Sequence, residues 1–169
     1  SKKFKRISYG KNFHKDFLNN YGHTIPMAII CEDLPEKNNC ITLDRSIKDS
    51  SGMPGVKISY KLSENSKKML SHGISKGKEL MRKAGAREIL AFGPVKHAGW
   101  HLMGTAKMGI SKKNSVVNKY GQSHDISNLI VADSSIFPSS GGVNPMSTLQ
   151  ALALNIANAI KKTPQKFFR

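Results

Sequence analysis

Acidic side chains are scarce in this sequence: 11 Asp and Glu stand against 27 Lys and Arg in 169 residues, a formal charge of +16. Such an imbalance raises the question of a nucleic-acid or anionic-membrane partner. The placing of the cations argues against both. Lysines are spread through every segment, with short clusters only at Lys2, Lys3, Lys5 and Arg6 and at Lys161 and Lys162, and no aromatics alternate with them to stack bases. Cysteine is nearly absent too. Cys31 and Cys40 cannot supply the four ligands of a structural zinc site. They read as unpaired thiols near adjoining strands, with a disulfide as the alternative in an oxidising compartment. No apolar run approaches the ~20 residues that cross a bilayer, so no transmembrane segment is expected. No signal-peptide core follows Ser1. Because Ser rather than Met opens the chain, a longer polypeptide is expected, and localisation is left open.

Several catalytic signatures are also missing. Gly104 and Gly109 have the glycine spacing of a phosphate loop, but Ile110-Ser111 follows where Lys-Ser/Thr is required. His97 and His101 lie four apart without the Glu of a metalloprotease helix, and Gly99 between them disfavours helix, so no metal is expected. No Gly-x-Ser-x-Gly elbow offers a hydrolase nucleophile. No Gly-x-Gly-x-x-Gly is present, so the chain has no dinucleotide-binding turn of its own.

What is present reads as an α+β chain. Hydrophobic residues reach only 38%, enough to fold but around an incomplete core. After a basic, polar lead-in, Thr24 to Cys31, Asn39 to Asp44 and Val56 to Leu62 are β-branched, partly alternating runs, with turn formers at residues 49–55. They predict a small, mainly antiparallel sheet. A covering helix follows, with Ser63 as N-cap and Gly85 at its end; Met69, Leu70, Ile74, Leu80, Met81 and Ala84 line one face. Gly73 and Gly77 on that face allow close packing. Glu88 to Phe92 reads as a returning strand, and Asn128 to Ala132 as a strand buried on both faces. The last helix is expected from about Pro145 to Lys161, with Leu149, Leu152, Ala153, Ile156 and Ile160 inward and cations at its C-terminus.

Two polar, Gly-containing stretches lie between these elements: Gly99 to Gly109 and Asp133 to Thr148. The first contains His101-Leu-Met-Gly-Thr-Ala-Lys-Met-Gly109, which resembles the His-Pro-x-Gly-Thr-Cys-Arg-Met-Gly stretch of the glucose-methanol-choline (GMC) oxidoreductase family. Asn128-Leu-Ile-Val-Ala-Asp-Ser-Ser-Ile-Phe-Pro138, Gly142-Val-Asn-Pro-Met-Ser-Thr148 and the Ala-rich helix are similar to that family's closing block, in the same order. A looser likeness covers Ile25 to Phe92, through Glu32-Asp-Leu-Pro35, Ile41-Thr-Leu-Asp44 and Gly52-Met-Pro54. Leu102 departs from the family's Pro, and Ala106-Lys107 from its Cys-Arg.

The resemblance implies FAD-dependent oxidation of a CH–OH group, with hydride passing to flavin. His101 matches the family's base, and imidazole suits proton transfer near neutral pH; on the residue alone, without the flanking motif, a hydrogen-bonded structural His is the favoured reading. Asn144 matches a second site held by His or Asn. An amide cannot act as a base, so it would bind the substrate oxygen or flavin; it also reads as N-cap to a Pro145 at the first helical position. Asp133 and Ser134 are implied near the flavin ribityl or phosphate, with Asp133 as a turn cap in the alternative. Pro145, Met146 and Thr148 would begin a helix whose positive end faces the flavin. The implied substrate is a small alcohol, sugar or sugar acid; the electron acceptor is left open. The implied organisation is a lead-in at 1–21, a substrate-side α+β portion at 22–118, a strand and helix returning to an absent FAD-binding α/β domain at 119–162, and a tail at 163–169. The competing reading is a non-catalytic basic binding module that keeps the shape.

Overall fold

The β-branched runs on either side of residues 49–55 fold onto each other. The computed structural model describes residues 9–95 and 99–168; the basic cluster Lys2, Lys3, Lys5 and Arg6, and His97, lie outside the described residues. β1 (Cys40–Lys48) and β2 (Pro54–Ser59) pair antiparallel, with Ile41 opposite Ile58 and Leu43 opposite Val56. The period of two puts these four on one face. Asp49 Oδ1 closes the turn by accepting the N–H groups of Ser51 and Met53, both at 2.9 Å. Cys31 and Cys40 are free thiols.

The chain forms two compact units. One comprises residues 9–30 and Met69–Val95. Here α2 (Glu64–Lys83), whose first turn belongs to the other unit, lays Gly77 against an extended segment. A Cβ at Gly77 would lie 3.0 Å from Ile29 Cδ1 and 3.4 Å from Met27 Sδ. The helix starts where Ser63 Oγ accepts the Ser66 N–H at 3.0 Å. It ends in a Schellman closure, with Gly85 N–H donating to Arg82 O and Ala86 N–H to Met81 O. The lead-in holds a helix not anticipated from sequence, α1 (Phe13–Asn20). Phe13, Phe17 and Tyr21 stack along it at centroid separations of 6.1 and 5.3 Å.

The second unit comprises Cys31–Lys68 and residues 99–168. Val117, Ile136, Phe137 and Ile156 are buried at its centre. Met103, Met108, Ile130, Val131, Leu149, Leu152 and Ile160 pack around them. Four of the five residues named for α3 (Met146–Lys162) thus point inward at the spacing of one helical face: Leu149, Leu152, Ile156 and Ile160. A 3-10 turn, Ser134–Ile136, delivers Ile136 to the same core.

The architecture is α+β, but three expected strands are corrected. Residues 24–31, 88–92 and 128–132 form no ladder among the described residues; of them only Ile130 pairs, in an isolated bridge with Gln122. A β-branched run favours extended backbone, but a strand also needs a neighbour for its N–H and C=O groups. The expected buried return strand is therefore an irregular extended segment, with Leu129 45% exposed. The start of α3 is corrected as well. Pro145, with ψ near 0°, occupies the cap position and makes no side-chain cap bond, so helical residues begin at Met146 and Asn144 lies outside the helix.

Candidate active site

His101 sits on an irregular segment held by the 3-10 turn. Ser134 Oγ donates to Leu102 O at 2.8 Å. The N–H groups of Gly104, Ala106 and Met108 then donate in turn to the carbonyls of Ser134, Ser135 and Ile136, at 3.3, 2.9 and 2.7 Å. Met103 and Met108 lie against the core and anchor the His101 stretch at two points. The turn is fixed by its own cap. Asp133 Oδ1 accepts the Ser135 N–H at 2.7 Å. Hydrogen bonding from the Ser135 side chain, then from its backbone, holds the Asp133 carboxyl below the usual carboxylate range.

A depression of about 250 Å³ opens at the edge of this arrangement. Trp100, His101, Leu102, Ser134, Asn144, Pro145, Met146 and Leu149 line it. His101 and Asn144, 43 positions apart, thus meet at one site. Both side chains are exposed, and neither makes a hydrogen bond among the described residues. Exposed, unbonded imidazole and amide groups facing the same space are available to a ligand. The N-terminus of α3 borders the depression through Pro145 and Met146. Without a side-chain cap, its first-turn N–H groups have no partner from the helix itself.

Of the residues singled out from sequence, His101, Ser134, Asn144, Pro145 and Met146 come together here. Asp133 and Thr148 do not line the depression; Asp133 is engaged as the cap of the 3-10 turn. Trp100, Leu102 and Leu149 were not singled out, although Trp100 and Leu102 are 75% and 76% exposed beside His101. Adjacency to His101 was the signal for Trp100 and Leu102, whereas Leu149 was read only as an inward residue of the last helix.

A second histidine is occupied. His124 Nε2 lies 2.9 Å from Ser115 Oγ and 3.2 Å from Gly109 O. Ser115 Oγ donates its proton to Ser111 O at 2.7 Å, so the imidazole nitrogen is the donor of the pair. A serine whose proton is committed to a carbonyl is no nucleophile. The pair is a clip that closes the loop after the His101 segment.

Comparison with known proteins identifies the family. Residues 35–153 match the family model for GMC oxidoreductase. The chain is 39% identical over 155 residues to 2-methyl-1,2-propanediol dehydrogenase of Mycolicibacterium austroafricanum, covering 91% of this chain and 28% of that protein. It is 30% identical over 151 residues to the fructose dehydrogenase large subunit of Gluconobacter japonicus, covering 89% and 28%. It is 28% identical over 163 residues to the gluconate 2-dehydrogenase flavoprotein of Pantoea cypripedii, covering 92% and 26%. The chain therefore spans roughly a quarter of the length of these curated relatives.

Proposed function

Because the chain belongs to the GMC oxidoreductase family, we propose that it carries the proton-transfer half of an alcohol-oxidising site, as the C-terminal portion of a longer FAD-dependent enzyme. The observation that carries this reading is the meeting of two unbonded side chains, His101 and Asn144, at the uncapped start of α3. The residues fit the cofactor: free first-turn N–H groups suit an electron-rich ring edge, and Ser134 lies within the same lining. FAD, when bound, supplies the acceptor for the hydride of the CH–OH carbon. The His101 imidazole takes the hydroxyl proton, and the product is a carbonyl. The Asn144 amide donates a hydrogen bond to the substrate oxygen and fixes its direction toward His101. Trp100 and Leu102 give His101 an apolar flank.

The lining also bears on the alcohol. Apart from His101 it holds no ionisable side chain among the described residues, although the chain carries 27 Lys and Arg. A sugar acid needs a cation or several donors at its carboxylate. An uncharged alcohol with an apolar flank fits better, and the diol named for the Mycolicibacterium relative has more of that character than the fructose named for the Gluconobacter one. The test is anaerobic bleaching of flavin absorbance in the complete enzyme. Neutral branched diols should bleach it at lower concentration than sugar acids of similar size. Bleaching by sugar acids alone would overturn the substrate assignment, and absence of any flavin would overturn the enzyme reading.

A further inference from the structure

The segment bearing Asn144 is held very differently from the one bearing His101. Four hydrogen bonds lace residues 102–108 to the 3-10 turn. Residues 138–144 make no backbone–backbone hydrogen bond among the described residues. The Ser139 hydroxyl reaches only its neighbour's carbonyl, at 3.5 Å. One hydrogen bond ties this segment to a distant part of the sequence: the Ser140 hydroxyl donates to Asp33 O at 2.7 Å, across 107 positions.

Asp33 is itself immobilised. Its carboxylate accepts the Tyr60 hydroxyl at 2.5 Å through Oδ2 and the Ser66 hydroxyl at 2.7 Å through Oδ1. Ser66 is 3% exposed in the first turn of α2, and its N–H is bound by Ser63. The carbonyl that receives Ser140 therefore belongs to a residue fixed at once to the end of the hairpin and to a helix start. Gly141 and Gly142 follow Ser140 directly and meet little nearby: a Cβ at Gly142 would find nothing within 4 Å. Two glycines in open space leave the backbone before Asn144 loose unless something upstream pins it.

We propose that the Ser140–Asp33 hydrogen bond is the pin that positions Asn144, with Ser140 a positioning residue and Asp33 its anchor. The proposal rests on the reading of Asn144 as the partner of the substrate oxygen. Loss of the pin spreads the amide over several positions, and a misplacement of about 1 Å can cost up to about a hundredfold in rate. The imidazole, laced to a different element, stays where it is.

The experiment is a double-mutant cycle in the complete enzyme, comparing the parent, S140A, N144A and the double variant by anaerobic stopped-flow flavin reduction across pH, with bound flavin measured by absorbance. S140A is expected to lower the limiting reduction rate roughly tenfold. Its flavin content and the pH midpoint of its rate should match the parent, and the double variant should be no slower than N144A alone. A parental rate in S140A, or rate losses that multiply in the double variant, would overturn the proposal while leaving the role of Asn144 intact. Loss of flavin from S140A would also overturn it, because the bond would then hold the fold rather than the amide. A parental rate in N144A would overturn the reading of Asn144 and the proposal with it.

Discussion

On the proposed reading, His101 offers its imidazole to the substrate from a well-anchored segment. The imidazole is exposed, without a described hydrogen-bond partner, and its neighbours Leu102, Gly104, Ala106 and Met108 are bonded to the 3-10 turn. Its replacement should remove a proton acceptor without moving the segment. His101→Ala in the complete enzyme is expected to slow flavin reduction roughly a hundred- to ten-thousand-fold, the range for loss of a general base. Flavin should be retained. A parental rate in stopped-flow would remove His101 from the mechanism. Tyr60 gives a second test at this scale. Its hydrogen bond to Asp33, followed by desolvation and the Asp33 charge, pushes the phenol up from 10.0 to about 12. A raised folded-state value means that the stabilisation is whole below pH 10 and is lost as pH climbs through about 12. Tyr60→Phe should therefore be less stable than the parent by a constant margin up to about pH 10, and the margin should close toward pH 12. Tyr60 is 61% exposed, so screening reduces that margin to about 1 kcal/mol or less. Urea midpoints of both proteins at pH 8 and pH 11.5 decide it; a margin that does not shrink would sever Tyr60 from Asp33.

At the scale of elements, what could be read from sequence was what depends on neighbours in sequence. Ser63 and Gly85 delimit α2, alternation and turn formers set the β1–β2 hairpin, and the 3.6 period gives the inward face of α3. Residues 24–31, 88–92 and 128–132 have strand composition but no ladder among the described residues, since pairing depends on partners that composition does not reveal. Phe13, Phe17 and Tyr21 carried the spacing of α1, masked by the polar residues between them. The candidate site was legible as two motifs, while the apolar lining and the Ser140–Asp33 bond arise from contacts between distant segments. One such contact makes a sharp prediction. Gly121 is fully buried at φ +69°; its N–H donates to Asn118 O, and its carbonyl accepts the Val131 N–H at 2.8 Å. A Cβ there would collide with the Val131 carbonyl and press on Ile156 Cδ1 in the core. Both the positive φ and the collision oppose any side chain. Gly121→Ala should thus destabilise the unit by several kcal/mol, beyond the 1–2 kcal/mol typical of left-handed strain alone. Thermal unfolding should show a large fall in Tm; a shift of only a few degrees would mean that residues 121–131 can rearrange around the methyl.

For the whole molecule, the apolar surface left exposed on the hairpin is the telling feature. Ile41, Leu43, Val56 and Ile58, on one face of the hairpin, are 49–70% exposed. Contiguous apolar surface of this kind normally belongs to an interface, and the chain spans roughly a quarter of its curated relatives. On the proposed reading, the remainder of the enzyme covers that surface and supplies most of the flavin contacts. The isolated 169-residue chain should then bind FAD no more tightly than micromolar, and isothermal titration showing sub-micromolar affinity would count against the assignment. Two opposing forces govern its behaviour in solution. The apolar faces drive self-association, and a charge of +16 resists it. That repulsion reaches about 30 Å at 0.01 M salt but only about 8 Å at 0.15 M, whereas apolar attraction persists. Self-association of the isolated chain should therefore increase as salt is raised over this range, and light scattering should show the rise. A chain that stays monomeric throughout would mean that its exposed faces are not the uncovered interface of a larger enzyme.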